Sequence, residues 1–213
     1  MRGRLIMGRA IALTGLLLTG TVLGWVIAVG WPVVAADAIS LEPRWRINQL
    51  QEGRSQFDLA QWNRTHEKLK QALNYTPENA MLHDYMASLY VIQGRAVWSD
   101  TAARRTAFLD ARRHYELSLR LRPASGRTWA AMAGTLAALG AADDALFNAC
   151  EKAIFYSPHD PAVHRQVLRL ALSRWANAPD DLKTWVKTIY ADPAKRRAYR
   201  MNELMKSFNQ ESL

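Results

Sequence analysis

The chain has 213 residues, of which 49% are hydrophobic and 22% charged, and its formal net charge is +9. A chain of this length buries a core without disulfides, and its single cysteine excludes an internal one. The positive charge suits anionic partners, but the sequence contains none of the common nucleic-acid-binding motifs, so we expect no nucleic acid.

The N-terminal segment has the character of a membrane-spanning helix. No charged residue occurs between Arg9 and Asp37. A bilayer core needs about 20 apolar residues in a helix, and residues 10–36 exceed that length. Arg2 and Arg4 also precede the segment, so the positive-inside rule places the N-terminus in the cytoplasm and the rest of the chain across the membrane.

A cleaved signal peptide is the competing interpretation of this segment. Residues 36–38 have the small-x-small form of a cleavage site. The apolar region of a signal peptide is usually about 7–15 residues long, and this one is longer. We therefore favour an uncleaved signal anchor over residues 1–37.

A repeat-like pattern follows in the middle of the chain. Its best unit contains Trp129, Met132, Ala133, Leu136, Leu139, Gly140, Ala145, Ala149 and Pro158. This order resembles the tetratricopeptide repeat, W-x2-L-G-x2-Y…A-x3-F…P, a helical hairpin of about 34 residues. The resemblance implies a solenoid that binds other proteins, in which the small residues let the two helices of a hairpin approach closely.

The preceding unit shows the same order with one substitution. His83 stands where the family prefers tryptophan, and the other matching positions are Met86, Ala87, Tyr90, Gly94, Ala111, Tyr115 and Pro123. Relative to a standard unit it is about 12 residues too long. We interpret the insertion as an N-terminal extension of the second helix, over Thr101–Arg122, after a short loop near residues 96–99.

The flanking segments also predict helices. Residues 59–76 form a degraded unit, for which residues 44–53 are a poor first helix. Downstream, Asp160 begins a helix, Asp181 caps another, and Asp192 opens the last one. We divide the chain into the anchor, a linker or first helix at 38–58, repeats at 59–176 and capping helices at 177–213. An ordinary all-α bundle with coincidental spacing is the alternative to a repeat array.

Basic and aromatic residues in the insertion are the candidate partner surface. They are Trp98, Arg104, Arg105, Arg112, Arg113 and Arg120. Tryptophan and arginine are enriched among binding hot spots, although a solvated helix face explains the arginines equally well. A second basic cluster spans residues 195–200. Anionic lipid, an acidic protein and an acidic glycan are the ligands that such clusters fit.

No catalytic or metal-binding motif is present, so we expect no enzyme and no cofactor. The spacing of the histidines matches no metal motif, and we expect His66 and His83 to pack in the core. We interpret Asp143 and Asp144 as helix N-terminal carboxylates, and Cys150 as a buried apolar residue.

The layout of one anchor and a short repeat array resembles accessory subunits of bacterial envelope machines. It implies a single-pass protein of the inner membrane with a periplasmic C-terminal domain. We favour a scaffold for exopolysaccharide biosynthesis or export, with a polysaccharide synthase or export subunit as protein partner. The alternative is an assembly factor for secretion, pili or cytochrome maturation.

Overall fold

A computed structural model describes residues 2–208, with side chains from residue 18 onward. These residues contain no β-strand, which confirms the all-α prediction. The α-helices are α1 Arg2–Gln51, α2 Leu59–Tyr75, α3 Ala80–Ala96, α4 Thr101–Leu121, α5 Gly126–Ala138, α6 Asp143–Tyr156, α7 Pro161–Ser173, α8 Asp180–Ala191, α9 Pro193–Ala198 and α10 Met201–Ser207.

Helix α1 is a single element of 50 residues that continues through Pro32 and Pro43. It is long and apolar enough to span a membrane. Its large apolar side chains are exposed up to Val34, whereas Ala35 and Ala36 are buried. The division that we placed at residue 37 therefore falls inside a helix, and no loop separates the apolar segment from the helical domain.

Capping side chains set the starts of most helices in this domain. Asp58, Asn79, Asp100, Ser125 and Asp160 each accept a hydrogen bond from a backbone N–H in the first turn. Such caps satisfy amides that have no partner inside the helix. The extended helix predicted for the insertion begins as expected at Thr101 and ends at Leu121.

The helices pack as consecutive hairpins. The C-terminal part of α1 pairs with α2, α3 pairs with α4, and α5 pairs with α6. Each second helix also contacts the first helix of the next hairpin, while α1 contacts α3 and α5 contacts α7. One hydrophobic core lies among α1, α2 and α3, and a larger one extends from α3 to α10.

The residues expected to hold the hairpins together mostly lie in these cores. Tyr90 and Trp129 are half-buried, and the buried members are Met86, Ala87, Ala111, Tyr115, Met132, Ala133, Leu136 and Ala149. Ala145 was wrongly assigned to this packing, because it is exposed. The neighbouring Leu146, about 100° further round the helix, makes the buried contact instead.

The C-terminal helices differ from the prediction in two details. Helix α8 begins at Asp180 after Pro179, and no side chain caps it, so Asp181 lies inside the first turn. The last predicted helix is broken between α9 and α10 at Arg200, whose φ of 51° is left-handed. This turn allows Met201 and Met205 to pack into the core.

Candidate functional site

A groove with a volume of about 800 Å³ runs across the odd-numbered helices of the domain. We call it the main groove. Its central lining residues are Phe57 before α2, Val91, Ile92 and Arg95 on α3, Ala131, Gly134 and Ala138 on α5, and Gln166 on α7. Successive first helices of the hairpins thus contribute to one continuous surface.

Small residues on α5 make the floor of the main groove. A Cβ atom on Gly134 would lie 2.5 Å from Nε2 of Gln166, so the glycine leaves room for that side chain. Polar side chains are interspersed with the apolar ones, and Ser88 Oγ lies 3.4 Å from the hydroxyl of Tyr115. The polar lining residues are Gln51, Ser55, Ser88, Arg95, Tyr115, Arg127, Thr135 and Gln166. A groove that combines apolar surface with polar groups that can fix an orientation is the usual form of a recognition site.

A second groove of about 460 Å³ lies between α4, α5 and α6. We call it the arginine groove. Its lining residues are Arg112, Glu116, Leu119, Arg120, Trp129, Met132, Leu136, Ala145 and Ala149. Arg112 is held in place by an ion pair to Glu116 at 2.7 Å. Two of the predicted partner-binding arginines therefore lie beside the α5–α6 hairpin.

The other predicted partner-binding residues line neither groove. Trp98 lies in the α3–α4 connection, and 76% of its surface is exposed. Arg104 lies over the ring of Phe108, 5.8 Å from its centre. Among the described residues, Arg105 and Arg113 have no acidic partner within ion-pair distance, and neither does Arg120 of the arginine groove, so these charges are available to an external anion.

The structure brings three histidines together, which the sequence analysis did not predict. His66 Nε2 lies 2.9 Å from the hydroxyl of Tyr90, and the ring of Tyr90 stacks on that of His114. His114 Nδ1 in turn lies 3.0 Å from Nδ1 of His83. These residues come from α2, α3 and α4, so only the packing of three helices assembles the cluster.

The hydrogen bonds define which ring nitrogen of His83 is a donor. His83 Nε2 lies 2.9 Å from the carbonyl oxygen of Pro77, to which it must donate. In neutral His83, Nδ1 then accepts a hydrogen bond from Nδ1 of His114. Burial lowers the pKa of His114 to about 4, helped by repulsion from His83. His114 is therefore neutral near pH 7.

One carboxylate lies within ion-pair distance of a histidine in this cluster, among the residues that the structure describes. The carboxylate nearest to its rings is that of Glu67, 3.3 Å from His66 Nδ1, and it is exposed. Three metal-ligating side chains do not converge anywhere among these residues. Hydrogen bonding and stacking between aromatic rings are thus what the geometry of the cluster supports.

Asp143 and Cys150 both lie on α6. Asp143 lies in the first turn of α6, where its carboxylate accepts hydrogen bonds from Arg174 and Asn177. The hydrogen bond from Arg174 is the main reason that the pKa of Asp143 is lowered. Cys150 is buried, as predicted, and burial raises the pKa of its thiol to about 12.

No protein-family model matches the chain, and no curated protein sequence matches it significantly.

Proposed function

We propose that the chain is a membrane-tethered scaffold that binds a segment of another protein in the main groove. The groove itself carries this proposal. It is about 800 Å³ in volume, has both apolar and polar lining residues, and is lined by helices from successive hairpins. An extended peptide or a helix fits such a surface, because its side chains contact several repeats at once.

A tetratricopeptide-like array is the architecture that we propose for the domain. The hairpins α3–α4 and α5–α6 follow one another, and α4 packs against α5 between them. His83 and Trp129, which occupy matching positions in the two units, each bond to the backbone carbonyl of a preceding proline. These features support a repeat over a bundle with coincidental spacing.

The apolar part of α1 supports a single-pass anchor. Its exposed surface from Leu18 to Val34 is apolar on all sides, which suits lipid rather than water. With arginines preceding the span, the domain would face the periplasm of a Gram-negative bacterium. Anchoring confines the domain to the membrane surface and raises its effective concentration near membrane partners.

Exopolysaccharide biosynthesis or export is the setting that we propose, by analogy of layout. The unpaired Arg105 and Arg113 are available to an acidic glycan, and the main groove to a synthase or export subunit. In this proposal the chain performs no catalysis itself. It holds the protein partner and the polymer close to each other at the membrane.

Photo-crosslinking tests the main groove directly. A photoreactive amino acid at Ala131, in the otherwise intact chain, is expected to capture a specific envelope protein in living cells. Ala131→Arg should abolish co-purification of that protein, whereas Ala191→Arg, on the exposed end of α8, should not. If both variants retain the partner, or if position 131 captures nothing, the groove is not the binding site.

A second experiment tests the pathway. Deletion of the gene is expected to reduce surface polysaccharide, and the full chain should bind an acidic polysaccharide with an affinity that falls as salt rises. Unchanged polymer together with a defect in pili or cytochromes would replace this setting by the assembly-factor alternative. Binding that is absent at low salt would remove the glycan from the proposal.

A further inference from the structure

The anchor and the helical domain form one rigid body at their junction. Helix α1 has no break there, and it becomes buried at Ala35 and Ala36 directly after the exposed apolar surface ends at Val34. The direction of the membrane span therefore fixes the orientation of the domain. A flexible linker would have left that orientation free.

Contacts between helices show which edge of the domain lies nearest to the membrane span. Lys68 of α2 pairs with Glu42 of α1, and Gln61 accepts a hydrogen bond from Arg46, so the two helices are antiparallel. The end of α2 thus returns to the level of Val34, where the apolar surface of α1 ends. The α2–α3 connection, residues 76–79, lies at this end.

Two further connections lie at the same end of the array. Arg122, which follows α4, pairs with Asp84 near the start of α3. Arg127 near the start of α5 pairs with Asp160, the cap of α7. These ion pairs bring residues 122–125 and 157–160 into line with residues 76–79. We call these three connections and the adjoining helix ends the proximal edge.

The proximal edge carries a row of exposed apolar and aromatic side chains. Phe155 is 76% exposed and lies beside Tyr156. The other exposed members of the row are Tyr75, Met81 and Leu121. Every one of the three connections contributes to this row. Arg120 adds a positive charge that has no acidic partner in the described chain.

The height of this edge above the membrane follows from helix geometry. Trp31 is exposed on the span, and tryptophan is favoured at the boundary between hydrocarbon and headgroups. Ala36 is about 7.5 Å further along the helix at 1.5 Å per residue. The headgroup layer on each side of a bilayer is roughly 5–8 Å thick. The proximal edge therefore lies at the level of the headgroups.

We propose that the proximal edge rests in the headgroup layer of the bilayer, with Phe155, Tyr156 and Tyr75 as its apolar contacts. The inference depends on the anchoring in the proposed function but not on the protein partner. Aromatic side chains with one polar end suit this layer. Arg120 suits the phosphate of a phospholipid or the charge of an anionic one. The contact would keep the main groove upright beside the membrane.

Depth-dependent fluorescence quenching tests this contact. The full chain with Cys150→Ala and one added cysteine is labelled with an environment-sensitive fluorophore and placed in nanodiscs containing headgroup-spin-labelled or acyl-chain-spin-labelled lipid. Phe155→Cys should show strong quenching by the headgroup spin label. Trp98→Cys is the matched control, because Trp98 is equally exposed at 76% but lies on the opposite edge, and it should show little quenching.

A label at Val26, within the span, distinguishes a failure of the edge contact from a failure of the anchor. Quenching at position 26 by acyl-chain label, without quenching at 155, would overturn the contact of the edge and leave the anchor intact. Absence of quenching at both positions would overturn the anchor as well. Equal quenching at 155 and 98 would show that the domain lies flat or tumbles, which also contradicts the proposal. Nanodiscs of zwitterionic and of anionic lipid show which headgroup Arg120 prefers.

Discussion

His83 and Trp129 make the same backbone contact in successive hairpins. Trp129 Nε1 donates to the carbonyl oxygen of Pro123 at 2.8 Å, and His83 Nε2 donates to that of Pro77 at 2.9 Å. In both hairpins the acceptor lies six residues before the donor. Both rings present an N–H group to the carbonyl, so histidine and tryptophan make the equivalent contact in the two hairpins.

Removal of these ring N–H groups should destabilise the domain to different extents. Trp129→Phe loses one hydrogen bond, so we expect a decrease of about 1 kcal/mol in the free energy of unfolding. His83→Phe should lower it by about 1–3 kcal/mol, because it also leaves Nδ1 of His114 without its partner. Urea unfolding of the full chain in detergent measures both values. A smaller effect at His83 than at Trp129 would contradict the interpretation.

The stability of the domain should fall in mild acid because of His114. Its pKa is about 4 in the folded chain and close to its ordinary value of 6.5 when unfolded. Between these values the unfolded chain binds the proton more tightly, so stability is complete above about pH 6.5 and is lost as the pH falls toward 4. We expect a loss of roughly 1 kcal/mol at about pH 5, after allowance for partial solvent exposure.

Urea unfolding at about pH 7 and pH 5 measures this effect. In His114→Asn the difference between the two pH values should shrink. The same change at the exposed His159 should leave the difference as it is in the unaltered chain. An unchanged difference in His114→Asn would assign the acid sensitivity to other groups.

Gly126→Ala should destabilise the α5–α6 hairpin. A Cβ atom at this position would lie 2.7 Å from the backbone oxygen of Ala153 and 2.4 Å from the hydroxyl of Ser157. The backbone atom cannot move aside easily, so we expect a loss of about 1–3 kcal/mol from overpacking. Alanine is otherwise the better helix former by about 1 kcal/mol. An increase in the melting temperature would therefore show that the hairpin tolerates the extra atom.

Cys150 should be inert in the folded chain. Burial raises the pKa of its thiol to about 12, so almost no reactive thiolate forms near pH 8. Iodoacetamide is expected to modify it only after unfolding in urea, as followed by mass spectrometry. Trp98→Cys provides an exposed thiol that should react in the folded chain. Equal reaction rates at positions 98 and 150 would show that the core opens readily.

The ends of several helices could be predicted from the sequence because they depend on residues a few positions apart. Asp100 caps α4, Asp160 precedes Pro161 at the start of α7, and each side chain bonds to amides in the adjacent turn. The apolar composition of the N-terminal segment likewise indicated a helix long enough to span a membrane. The all-α class followed from the same local periodicity.

Tertiary packing determined the features of the structure that local sequence patterns did not predict. The convergence of His66, His83 and His114 depends on which faces of α2, α3 and α4 meet, and no spacing along the chain specifies this. The exposure of Ala145 depends in the same way on the rotation of α6 against α5. The continuity of α1 through Pro32 and Pro43 into the domain, where it contacts α2 and α3, is likewise visible only in the tertiary structure. Local patterns determine where helices form, whereas contacts between distant residues determine which surfaces they share.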